Sequence, residues 1–157
     1  MAHEPNAQLA ALFPELRDWN EGKGITVSDW MNTIGNIPAA IAYSTLFWPE
    51  FVEYESCIFW SNFSPNSFDA WMKMLNGNKT RVEAVINHRH ITDFFLNAEE
   101  KPSLEQIEYL GELLRKIWTL KLQNDFPLSD VRVEFYWNDR EATDDAQITV
   151  YCQRETS

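Results

Sequence analysis

One long amphipathic segment limits the architecture of this chain more than any other feature. Ser103 followed by Gln106 forms the reciprocal capping pair that opens a helix. Wound at about 100° per residue, the following segment puts Glu105, Glu108, Glu112, Arg115, Lys116 and Thr119 on one narrow polar arc. Leu104, Ile107, Tyr109, Leu110, Leu113, Leu114, Ile117, Trp118, Leu120 and Leu122 take most of the rest. An apolar arc wider than half the circle predicts burial on several sides, so the helix near 103–124 is expected at the centre of the fold. Gly111 lowers its helix propensity, which suits the close approach of a neighbouring element. Acids early and bases late match the helix dipole, and Glu112–Lys116 is a favourable i,i+4 pair. Phe126-Pro127 ends the segment.

Beyond it the period falls to two. Val131, Val133, Phe135 and Trp137 alternate with Arg132, Glu134, Tyr136 and Asn138. Ile148, Val150 and Cys152 alternate with Gln147, Thr149, Tyr151 and Gln153. These are two half-buried strands, and the acidic loop Asp139–Asp145 between them is short enough for a hairpin. A third period-two run spans Phe51 to Trp60. Shorter helices fill the remainder. One is interrupted by Pro14, one is capped by Thr26 or Ser28 and ended by Gly35, and one is capped by Asn36 and stopped by Pro49. Another runs from Ser64-Pro65 to Gly77, and the next opens with a capping box at Thr80–Glu83. A last helical turn is expected over Ile91–Leu96. The expectation is a single α+β domain over 1–157. Its small antiparallel sheet has about three strands, near 51–61, 131–138 and 146–153, with several helices packed mainly on one face.

The formal charge is −11, from 24 acids and 13 bases. Phosphate backbones and anionic membrane surfaces require clustered Lys and Arg, so nucleic acid and membranes are poor partners for this chain. A basic protein is a better one, because complementary charge raises the association rate. No stretch approaches the roughly 20 apolar residues that cross a bilayer. Met1–Asn6 lacks a basic region followed by an apolar run. Cys57 and Cys152 stand in no CxxC or metal-ligand spacing. A reducing, cytoplasmic setting is therefore expected.

Few residues carry a chemical signature. His88, His90 and Asp93 are the right types for zinc, but residues two apart on a helix point about 200° apart, and no fourth ligand is evident. Basic side chains at a helix end explain them as well. Glu53 and Glu55 share one face of the first strand, about 7 Å apart, and paired carboxylates can do acid–base work. The same alternation describes a strand with a wet polar face. Cys57 lies on that face, where neighbouring acids would raise its thiol and blunt it as a nucleophile. The Asp139–Asp145 loop lacks the ligand spacing of a calcium loop. Neither a phosphate-cradling glycine loop nor a nucleophile elbow is present. No cofactor is expected. The chain does hold seven Trp, ten Phe and five Tyr. Phe47 and Trp48, with Trp19, can line a pocket or anchor a partner, or else form a corner of the core.

Two classes of function compete. The favoured one is a non-catalytic acidic domain that binds a basic protein. Between Asp93 and Glu112 stand six acids and one base. Acidic single-domain inhibitors, such as the immunity proteins that neutralise bacterial toxins, share this size and charge. The alternative is a small-molecule binder or hydrolytic enzyme with an aromatic-lined pocket, using Glu53 and Glu55 or His88 and His90. A structural homodimer subunit is the third reading.

Overall fold

The computed structural model describes residues 7–95 and 101–154. The segment 1–6, Leu96, Glu99 and Glu100 fall outside them. The chain groups into two compact units, Met1–Ser44 and Thr45–Ser157. In the first unit a short α1 (Ala7–Ala11) is followed by a 3-10 turn at Pro14–Arg17, since the proline ring cannot continue the α-helical ladder. The one-turn α2 (Trp19–Gly22) is broken by left-handed backbone at Asn20 and Glu21. α3 (Val27–Ile34) has the reciprocal Thr26–Asp29 cap at its start. Trp30 packs on Phe13, with ring centroids 5.1 Å apart. α4 (Ile37–Phe47), whose last three residues Thr45–Phe47 belong to the second unit, is opened by Asn36, whose Oδ1 accepts from the Ala39 amide at 2.8 Å.

The second unit holds all five strands among the described residues. The period-two run from Phe51 is a hairpin and not one strand. β1 (Phe51–Tyr54) turns through Glu55 and Ser56, both at positive φ, into β2 (Cys57–Trp60). Two consecutive left-handed residues make the tight turn whose twist matches paired strands, and Glu55-Ser56 is not among its usual sequences, so the alternation ran through it unmarked. α5 (Pro65–Met74) and α6 (Lys79–Ile86) follow. Arg89–His90 then forms a short β3 rather than a helix end, and a 3-10 turn covers Ile91–Phe95. β4 (Val131–Tyr136) and β5 (Gln147–Cys152) pair antiparallel, as the alternation predicts, in the order β3-β5-β4. The α+β class stands, with a two-stranded and a three-stranded sheet where one sheet was expected.

α7 (Leu104–Asp125) lies across β4 and β5. Its Ser103–Gln106 capping box is complete. Ile107, Leu114, Trp118 and Leu122 are buried against Ile148, Val150 and Val133. Trp118 donates its indole N–H to the Leu46 carbonyl at 2.8 Å. Gly111 is where β4 comes closest, since a Cβ there would lie 2.2 Å from the Phe135 ring. The buried arc is narrower than the sequence implies: Leu104 and Tyr109 reach the surface and Leu120 is 63% exposed. Glu112 pairs with Arg115, at 2.8 Å, in place of Lys116.

α6 joins the two sheets through side chains. Asn78 caps it, and Thr80 instead donates to the Cys152 carbonyl at 2.9 Å. Glu83 is fully buried and accepts from the Ile58 amide at 2.7 Å and the Cys152 amide at 2.9 Å. Arg154 closes on the same carboxylate from the other side, at 2.5 and 3.1 Å. One turn on, Asn87 donates to the Ile58 and Val150 carbonyls and accepts from the Trp60 amide. The outer edge of β2 and the edge of β5 beyond β3 are thus paired by side chains where another strand would otherwise be needed.

Candidate functional site

The residues singled out by sequence do not converge. Glu53 is an exposed strand residue, while Glu55 sits in the turn, so they form no carboxylate pair on one strand face. Phe47 packs against the core of the second unit. Trp48 is 54% exposed, with the Lys121 ammonium 5.4 Å from its ring centroid. Trp19 belongs to the first unit. His88 and His90 do meet, edge to face at 4.9 Å. Among the described residues no three His, Cys, Asp or Glu side chains come together as a ligand set, Asp93 included.

Cys57 and Cys152 are free and buried. Burial first, then the Glu83 charge, pushes the Cys57 thiol up to about 11 and the Cys152 thiol up to about 12. Both are poor nucleophiles at neutral pH. The fold favours the neutral thiol, so the stability linked to these groups is present below the unfolded value near 9.0 and is withdrawn as pH climbs toward 11 and 12. A disulfide-exchange reagent at mildly alkaline pH is expected to modify neither thiol until denaturant is added. Rapid modification of the native protein would contradict this burial.

The histidines instead belong to a polar chain along the three-stranded sheet. Asp145 accepts from the Asn138 and Asp139 amides, both at 2.6 Å, and the Asp139 amide leads in holding its carboxyl below the usual range. Asp145 also accepts from the Gln147 amide nitrogen at 2.9 Å. A carboxylate only accepts, so this bond fixes the Gln147 amide and turns its oxygen toward His88 Nε2, 2.6 Å away. His88 therefore donates from Nε2. His90 Nδ1 lies 2.7 Å from the Asp144 carbonyl, to which it donates.

His88 lines a cavity of about 380 Å³ between α6 and the face of β4 and β5. Glu134, Tyr136, Thr149 and Tyr151 form its sheet side, and Ala84 and Val85 its helix side. Tyr151 donates to Glu134 Oε1, and this bond is the main reason its phenol is pushed up to about 12. Burial, then the Glu134 and Asp145 charges, raises Tyr136 as well.

A second feature is the acidic end of the unit. The 3-10 turn with Asp93 packs on the 143–145 turn, and Arg140 reaches Glu108 at 3.4 Å. Asp93, Glu105, Glu108, Asp139, Glu141 and Asp144, from three separate segments, are exposed at this end. Arg140 is engaged there by Glu108 and by the Trp137 ring.

No family model, curated protein or solved structure matches the chain.

The sequence reading missed the Glu83–Asn87–Arg154 brace and the His88–Gln147–Asp145 chain. Gln147 and Thr149 at polar positions of β5 were the available signal, but alternation alone leaves such side chains in water.

Proposed function

We propose that this chain is a non-catalytic binding protein that engages a basic protein partner through the acidic end of its second unit. The carrying observation is the meeting of three acidic segments, with Glu108 on the long helix bonded across to Arg140 in the hairpin loop. Opposed charge at such a surface raises the encounter rate and fixes orientation more than it adds affinity. A partner presenting Lys and Arg would meet Asp93, Glu141 and Asp144 before any apolar contact formed. An inhibitor of a basic enzyme or toxin fits this role. A reducing compartment such as the cytoplasm suits a fold that keeps Cys57 and Cys152 free. Among the described residues no helix is long and apolar enough to cross a membrane.

The test compares the full chain with its Glu108→Lys, Glu141→Lys, Asp144→Lys triple variant as baits for cell lysate at low and high salt. Basic proteins held by the unaltered chain at low salt are expected to elute at high salt and to be missed by the variant. With an isolated partner, the association rate should fall about tenfold or more on charge reversal. Equal retention by both baits, or binding indifferent to salt, would overturn the reading.

A further inference from the structure

The cavity between α6 and the β4–β5 face has a chemistry separate from the acidic end. Its walls offer two tyrosine rings, Tyr136 and Tyr151, on adjacent strands. Glu134 adds a carboxylate whose Oε1 accepts from Tyr151, and the second oxygen retains its lone pairs. His88 lines one side of the space, with Nε2 committed to Gln147. Thr149 commits its hydroxyl to the Ala84 carbonyl at 2.6 Å. Among the described residues no Lys or Arg lines the space. The base on this face, Arg132, stands opposite Tyr151 and is paired with Asp130 at 3.0 Å. Aromatic faces beside one carboxylate are complementary to an organic cation.

We infer that this cavity binds a small organic cation, an alkylammonium or guanidinium group, between the Tyr136 and Tyr151 rings with Glu134 as counter-charge. Val85 and Ala84 meet its alkyl part. An anionic ligand would face Glu134, while the nearby Arg132 is already paired with Asp130. A neutral ligand of the same shape would forgo both the ring attraction and the carboxylate. The cation can be a free amine or the side chain of a Lys or Arg on another protein; the recognition chemistry is shared.

The experiment is a titration of the full chain, followed by the tyrosine and histidine ring resonances. The probes are butylammonium, tetramethylammonium and guanidinium chlorides, a doubly blocked lysine, and neutral 3,3-dimethylbutanol, with sodium chloride holding ionic strength constant. Saturable shifts at Tyr136, Tyr151 and His88 are expected with at least one cation and not with the alcohol. Glu134→Gln and Tyr136→Leu should each weaken binding by about three- to tenfold. Their melting temperatures separate this loss from unfolding. Binding of the blocked lysine identifies a protein side chain as an admissible source, whereas binding of free amines alone restricts the site to small molecules. Either result supports the inference. Absence of saturable shifts with every cation, equal shifts with the alcohol, or unchanged affinity in folded Glu134→Gln would overturn it.

Discussion

Glu83→Ala is expected to destabilise the second unit by about 3–5 kcal/mol, the cost of breaking a buried ion pair from one side. The carboxylate accepts two backbone amides, from β2 and β5, in addition to the Arg154 guanidinium. Truncation leaves the Ile58 and Cys152 amides without an acceptor in a site that excludes water, and each such orphan costs about 1–3 kcal/mol. Glu83→Gln should recover only part of the loss, because its amide group turns an N–H toward one of the existing donors. Arg154→Met should cost less, since the Arg154 side chain is 30% exposed and Glu83 keeps both backbone donors. Denaturant unfolding of the three variants gives the ordering. A Glu83→Ala protein within about 0.5 kcal/mol of the parent would show that the brace carries no stability.

Leu114→Ala is the second large effect, with an expected loss of about 2–5 kcal/mol. Leu114 is fully buried where α7 crosses the sheet, among Ile107, Trp118, Ile148 and Val150. Its removal forfeits the transfer energy and leaves a cavity that rigid β-strand neighbours close poorly. Leu120→Ala on the same helix supplies the control. That side chain is 63% exposed, and its loss should stay within about 0.5 kcal/mol. The sequence assigns these two leucines to one apolar arc, so equal effects would mean that the helix is docked differently.

The comparison of Leu114 with Leu120 shows what periodicity can convey. Hydrophobic spacing located α7, its Ser103 cap, its end at Phe126 and the close approach at Gly111, because those depend on residues near one another in sequence. Which part of a wide apolar arc becomes core depends on the surface it meets, and spacing carries no record of that. The hairpin at Glu55-Ser56 was hidden for a related reason. Left-handed turns announce themselves through Gly and Asn, and here residues without that preference occupy the turn. Thr80 and Glu83 carry a third lesson. Their spacing matches a helix cap, yet Asn78 performs the capping and both side chains reach across to β5. The candidate sites were less legible. His88 and Asp145 are joined by Gln147, and Glu108 meets Arg140, through contacts between segments distant in sequence.

The brace around Glu83 also has an order in time. Arg154 follows Glu83 by 71 residues, and it donates to the Ser56 carbonyl, 98 residues before it. At bacterial or eukaryotic synthesis rates, the interval between making Glu83 and making Arg154 is roughly 4–14 s. For most of that interval β5 has not yet been made. Until it is, the Glu83 carboxylate lacks the Cys152 amide and the Arg154 guanidinium that share it with Ile58 in the fold.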